Sequence, residues 1–277
     1  MSGTARPNPQ DPVSEEGMRP AEPGNLVEVN RLFHDHECHY YDRRFAIVHD
    51  ARSARRARAE VEGLLGRPLT GQDLVLDVGC GTGWFAAGLR RASPEGVVRV
   101  VGADLSAGML SRAKDAGAWP LLQADAARLP LRSGGFDVVV CRGVLHHLPD
   151  VPAALREWRR VLRPGGAVVI AGEPTPTVDR HGRVLVRGLL PMLHRGLSAQ
   201  EDFWEVASMA ANLHVFTAGQ LAETAAGAGF GQVRLRTADL VARQIGKRGD
   251  GVEHDAFLRA MAHLAHDDLC HVLRLEG

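Results

Sequence analysis

The run Val75-Leu76-Asp77-Val78-Gly79-Cys80-Gly81-Thr82-Gly83 constrains the fold more than any other stretch of the chain. Val75, Leu76 and Val78 have strand character, glycine then recurs at every second position, and a helical pattern opens at Trp84. A strand that breaks into a glycine turn and then a helix is how open α/β sheets receive nucleotide-like ligands at their strand ends. Glycine leaves the backbone open to close approach and tolerates φ > 0 in the turn. A dinucleotide fingerprint requires G-x-G-x-x-G, and here the third glycine comes one residue early, with the bulky Trp84 behind it. A phosphate-cradling loop would end in Gly-Lys-Ser/Thr, and no lysine lies near. Asp77 would repel a pyrophosphate and suits a cationic ligand instead.

Further acids follow at strand ends. The β-branched run Val97–Ala103 leads into Asp104, where a carboxylate can accept from both hydroxyls of a ribose. Asp104 also stands where it could cap a helix opening near Ser106. The strand Pro120–Gln123 precedes Asp125, and Phe136–Arg142 holds three consecutive valines, the mark of a strand buried on both faces. Leu162-Arg163-Pro164-Gly165-Gly166 is a tight turn with Pro and Gly placed as a type II turn requires. It feeds a strand over Ala167–Ala171.

Together these segments resemble the class I S-adenosylmethionine-dependent methyltransferases. The likeness is to the small-molecule type typified by ubiquinone and menaquinone biosynthesis, known as methyltransferase type 11. The carrying residues are Asp77-x-Gly79-x-Gly81-x-Gly83, Asp104, Gln123-Ala124-Asp125-Ala126, the strand-four stretch Cys141 to Asp150 with its His146-His147 pair, and Arg163-Pro164-Gly165-Gly166. The resemblance implies S-adenosyl-L-methionine as cofactor. Asp77 and the three glycines would hold its amino-acid end, and Asp104 its ribose. Leu105 and Met109 would pack on the adenine, and Asp125 and the Ala126 amide would bond it. Cys141 and His146 would face the sulfonium, and Tyr41, in a Tyr-Asp pair common to relatives, would close on the cofactor. The fold implied is Rossmann-like α/β: seven strands, mostly parallel with a reversed last strand, helices on both faces, N-terminal helices and a helical insert after strand five.

Along the chain we read residues 1–24 as a disordered tail rich in Pro, Glu, Gly and Ser, without the apolar core of a signal peptide. The methyltransferase domain spans 25–247, with helices over Leu26–His36 and Ala51–Leu65 and an insert over 173–215 that serves the substrate side. A helix over Ala218–Ala228, strands over Val233–Thr237 and Leu240–Ile245, and a helical extension over 252–275 complete it. The greasy portion Val184–Leu193 of the insert points to an apolar or aromatic acceptor.

Thirty-three basic and 33 acidic residues leave no net charge, which excludes a dedicated nucleic-acid binder. No stretch reaches the apolar length of a membrane span. Cys38, Cys80, Cys141 and Cys270 form no CxxC pair, as in a reduced cytoplasmic protein. Lys114 and Lys247 are the only lysines, and with abundant Ala and Gly this reads as a GC-rich bacterial genome. The partner is therefore expected to be a small molecule, and a homodimer stays open.

Methyl transfer from a sulfonium needs alignment above all, since the leaving group is neutral. A base is required only if the nucleophile carries a proton. If one is used, His146, His147 and His214 are the candidates, with a purely structural histidine as the other reading of His146; Glu173 stands at the end of strand five. The ligand-type residues packed between His34 and Asp42, and a second set between Glu253 and His271, have no standard metal spacing. We read the first as a polar helix face over the cofactor and expect no metal. A protein that uses the cofactor for non-methylating chemistry, or only senses it, would show the same binding residues.

Overall fold

The computed structural model describes residues 23–44, 47–91, 98–117, 119–174, 216–238 and 268–274. Within them lie seven strands: β1 (Leu74–Val78), β2 (Arg99–Asp104), β3 (Leu121–Gln123), β4 (Phe136–Arg142), β5 (Leu162–Pro174), β6 (Gln232–Ala238) and β7 (Asp268–Arg274). They form one sheet in the order β3-β2-β1-β4-β5-β7-β6. The first five are parallel, and β7 runs antiparallel to both β5 and β6. This is a Rossmann-like architecture. The chain leaves β1 in one direction for β2 and β3 and returns to its other side with β4. That reversal opens a crevice above the carboxyl ends of β1 and β4.

The helices are α1 (Pro23–Glu37), α2 (Tyr41–Arg44), α3 (Ala51–Leu65), α4 (Trp84–Arg91), α5 (Ala107–Ala116), α6 (Val151–Val161) and α7 (Ala218–Gly227). Alternation along β1 and β4 divides the core into two layers. Leu76, Val78, Val139 and Cys141 pack with Leu155, Trp158 and Val161 of α6 and Leu221 of α7. Val75, Val138 and Val140 pack on the opposite face with Val61 and Leu65 of α3 and Phe85 and Leu89 of α4. Six of the seven β4 residues are buried, because helices cover both sides. The cores tie down the strand bodies and leave the carboxyl edge to carry polar groups.

Local chemistry fixes the helix starts. Asp50 caps α3 through the Ser53 amide at 2.7 Å, Ser106 caps α5 through Met109 at 3.0 Å, and Asp150 caps α6 through Ala153 at 2.8 Å. Each satisfies an amide that has no partner within its helix. Gly165 takes φ 74° in the turn inside β5. There the register with β4 shifts as residues 163–166 loop out.

Two expectations are corrected. The ligand-rich segment 34–42 is not one helix: α1 ends at Glu37, a turn spans 38–40, and α2 restarts at Tyr41, so His34, Cys38 and Asp42 share no continuous face. The segment 268–274, expected within a helical extension, is strand β7. Its apolar pattern fits either period over so short a run. The open hydrogen-bonding edges of β5 and β6 decide for the strand. Leu240–Ile245, residues 252–267 and nearly all of the insert after β5 lie outside the described residues.

Candidate active site

One cavity of about 540 Å³ opens above the carboxyl ends of β1, β2 and β4 and is roofed by α1 and α2. Its size is that of a pocket for a small organic ligand. Tyr41, Asp77, Gly79, Gly81, Asp104, Leu105, Met109, Asp125, Ala126 and His146 all line it.

The loop after β1 is built by hydrogen bonds that its glycines permit. The Gly79 and Cys80 amides both donate to the Ala103 carbonyl, at 2.7 and 3.0 Å. The Gly81 amide donates to Asp104 Oδ2 at 2.8 Å, and the Ser106 amide to Asp104 Oδ1, also at 2.8 Å. Asp104 therefore locks the β1 and β2 loops together. The three glycines serve different ends. A Cβ on Gly79 would meet Val144 at 2.3 Å, and one on Gly83 would meet the Ala113 backbone at 2.9 Å. A Cβ on Gly81 would meet nothing, so it would project into open space. Gly81 is thus the glycine that leaves room for a ligand. Gly83, expected at the cofactor, is corrected: it faces α5 and does not line the cavity.

Asp77 is fully enclosed, and one of its oxygens, Oδ2, has no protein partner. Burial first, and the neighbouring Asp104 charge second, push its carboxyl up to about 7. The Ala86 amide in the first turn of α4 opposes that shift. Burial raises Asp104 as well, against its two amide donors. A pair of acids held in this state is primed for a cation that would discharge it. Asp125 folds back on its own backbone through the Ala127 amide at 2.9 Å. The Ala126 carbonyl is anchored by the Trp158 indole at 3.0 Å.

Cys141, expected to face the ligand, is also corrected. It is wholly buried among the α6-side residues. Its register partner is Val78, while Asp77 pairs with Val140. Residues two apart share a face, so Arg142 rises on the side of Asp77, into the cavity. Its guanidinium lies 5.5 Å from the Trp84 ring and 3.5 Å from Glu60, and its Nε has no protein partner. Alternation within β4 separates Cys141 from Arg142, and only the register with β1 says which of the two faces the cavity. His214 lies outside the described residues.

The strand-four side of the cavity is organised by Glu173 at the end of β5. It is completely buried and accepts from the Val144, Leu145 and His146 amides at 3.0, 3.0 and 3.1 Å. It also bonds His146 Nδ1 at 2.8 Å. Burial alone would raise its carboxyl; the His146 charge and the amides outweigh that and hold it below the usual range. The 3₁₀ turn Leu145–His147 is thereby pinned to β5. His147 stacks against His146 at 4.0 Å and meets His34 of α1 edge-on at 5.1 Å. Asn30 of α1 donates to the His147 carbonyl at 2.8 Å, and His34 Nδ1 lies 3.1 Å from Glu37.

The roof is latched at its other end as well. Asp35 accepts from Ser106 Oγ at 2.6 Å and from the Gly108 amide at 2.9 Å. Thr82 donates to Asp42 at 2.6 Å, and His49 bonds the same carboxylate at 2.9 Å. Burial raises the Tyr41 phenol far above its ordinary value. Among the described residues no three His, Cys, Asp or Glu side chains gather as a metal site.

The family model of a methyltransferase domain matches residues 76–170, from β1 through β5. A demethylmenaquinone methyltransferase of Mycolicibacterium paratuberculosis is 34% identical over 166 residues, covering 58% of this chain and 69% of that one. The chain belongs to the class I S-adenosylmethionine-dependent methyltransferases. Over other curated relatives the match spans only a third to about half of their length. The fold is shared with a chain of the complex between the Haloferax volcanii Trm112 methyltransferase activator and a methyltransferase. That match has a TM-score of 0.62 at 20% identity and covers 88% of this chain and 98% of that one. It is shared too with a Haemonchus contortus phosphoethanolamine N-methyltransferase crystallised with phosphomonomethylethanolamine and S-adenosylhomocysteine. Here the TM-score is 0.54 at 18% identity, over 80% of this chain and 52% of that one. The methyltransferase's carboxyl edge fits the family's cofactor: an enclosed carboxylate oxygen without a protein partner beside an open Gly81 suits an ammonium-bearing nucleoside.

Proposed function

We propose that this chain transfers the methyl group of S-adenosylmethionine to a small-molecule acceptor bound in the same cavity. The observation that carries this reading is the convergence of Asp77, Asp104 and Asp125 on one walled space at the carboxyl edge of the sheet. Asp77 would hold the ammonium, Asp104 the ribose hydroxyls, and Asp125 with Ala126 the adenine edge, while Leu105 and Met109 pack its face. Tyr41 closes the roof. When bound, the cofactor supplies a methyl group activated by positive sulfur and a neutral leaving group. The chain's own residues then bind, orient and exclude water, which can supply ~7–11 kcal/mol by alignment alone.

A small-molecule acceptor is supported by the dimensions of the cavity, by its cover of α1 and α2, and by a chain of zero net charge. No described helix is long and apolar enough to cross a membrane. The test is calorimetry with S-adenosylhomocysteine, followed by incubation with methyl-labelled cofactor and a low-mass extract. Label in a low-mass product supports the reading. Binding without consumption of cofactor would favour non-methylating chemistry or sensing, and label only in protein or RNA would overturn the acceptor class.

A further inference from the structure

We propose that Asn30 of α1 recognises the acceptor: its side-chain oxygen receives a hydrogen bond from a largely apolar molecule that carries an uncharged N–H or O–H donor. The inference rests on the methyl-transfer reading above and narrows its substrate class.

The Asn30 amide has one possible orientation. Its Nδ2 donates to the His147 carbonyl at 2.8 Å. A carbonyl oxygen can only accept, so nitrogen is the arm on that side and Oδ1 is the other arm. Turning the amide over would set two carbonyl oxygens against each other. Asn30 is 5% exposed and lines the cavity. Its Oδ1 is enclosed, and no donor reaches it among the described residues. A buried acceptor left unpaired is costly, and the great majority find a donor.

The surroundings define the donor. Val27 and Phe33 stand three residues to either side of Asn30, and both line the cavity with it. Leu148 and Pro149 follow the residue whose carbonyl Asn30 holds, and they line the same space. His34, one turn on, has its Nδ1 engaged by Glu37 at 3.1 Å. A bound water needs two to four polar partners, and this stretch of wall is mostly carbon. It suits an apolar body with one polar point. That point is uncharged, because an amide oxygen has no charge to offset a cation buried against such a wall.

The nucleoside has partners elsewhere. Asp35 reaches Ser106 and Gly108 beyond the end of β2. Asn30 lies five residues earlier, about 7.5 Å back along the helix axis, at the turn after β4. The adenine's own donor, its exocyclic amine, falls to Asp125 in the reading above. The Asn30 oxygen is thus left to the second ligand. A site built this way discriminates by rejection: a molecule of the right shape without the donor leaves the oxygen buried and unpaired.

The test uses two bicycles of one shape, indole with its neutral N–H and benzofuran without it. Each is titrated into protein loaded with S-adenosylhomocysteine while NMR follows the Asn30 side-chain amide. The wild type should hold indole about tenfold or more tighter than benzofuran, and the Asn30 signals should move with indole. N30L should bind the two alike, and so should N30A, a smaller side chain in case leucine disturbs the packing. Near-ultraviolet dichroism and S-adenosylhomocysteine affinity should hold in both variants. Equal binding of the bicycles by the wild type, Asn30 signals unmoved by indole, or a preference for indole that survives in either variant overturns the inference. No indole binding by protein that does bind S-adenosylhomocysteine overturns it too. Folded N30A that loses S-adenosylhomocysteine affinity about tenfold would give the oxygen to the adenine amine and also overturns it. Failure of the wild type to bind S-adenosylhomocysteine overturns the broader reading instead.

Discussion

The two halves of the cavity are made differently. The β1–β2 half is built from residues close in sequence: the Asp77–Gly83 loop folds onto Asp104, and Asp104 receives the Gly81 and Ser106 amides. The β4–β5 half is built across distance: Glu173 reaches back to the turn at 144–146, and α1 descends from the start of the chain to touch His147. The first half is a preformed cradle whose acids are strained by burial and await a counter-charge. The second is a hydrogen-bond cluster in which the saturated Glu173 carboxylate holds one imidazole and the turn beside it.

The largest effect that would break this contrast is expected at Asp104. Asp104→Ala should weaken S-adenosylhomocysteine binding by about 100-fold in calorimetry, since hydrogen bonds to a charged acceptor contribute roughly 1.5–3 kcal/mol each. A change under threefold would show that the β1–β2 half is not where the nucleoside sits.

Next is Glu173→Gln, which should cost about 2 kcal/mol or more in denaturant unfolding, because an amide cannot accept four donors. The pH sign sharpens the point. The folded carboxyl lies below its ordinary value, so its stabilisation is present above the unfolded value, near 4.3. It is lost as pH falls through the lower folded one. Wild-type melting should decline across that acid window, and the Gln variant should lack this component.

Asp77→Asn is expected to be smaller at neutral pH and opposite in sense for the free protein. The folded carboxyl is pushed up to about 7, so its contribution is full below about 3.9 and is lost as pH climbs through 7. Above pH 7 the ligand-free Asn variant should therefore melt higher than wild type. Wild-type cofactor affinity should rise with pH up to about 7 as the carboxylate forms, and the variant's should be weaker and flat. A pH-independent wild type would remove the ammonium from Asp77.

The smallest expected change is Asn30→Ala, about 1 kcal/mol. It removes the Asn30–His147 bond and should speed hydrogen exchange in α1 while leaving the β1–β2 loop unchanged. Equal effects in both places would mean that the two halves are one cooperative unit.

Much of the first half was legible in the sequence. A strand with Asp77 near its end, a glycine turn and a strand ending in Asp104 are local features, and local backbone rules largely place them. Gly83 shows the limit: spacing puts it with Gly79 and Gly81, yet only α5 packing reveals that it faces helix rather than ligand. Cys141 and Arg142 show another. The strand was plain, but which of the two residues faces the cavity follows from register with β1, which sits far away in sequence. The break at Glu37 and strand β7 depend on contacts that arise only once the sheet exists.

By itself, then, the sequence determined a parallel sheet with a glycine-opened edge and acids at or near its strand ends, because those properties reside in runs of neighbouring residues. Tertiary structure alone decided that Glu173 holds His146, that Arg142 enters the cavity, that Gly81 is the open glycine and that 268–274 completes the sheet. Each of these pairs groups far apart along the chain, and which distant donors and acceptors meet is settled by packing and by the need to satisfy buried polar groups.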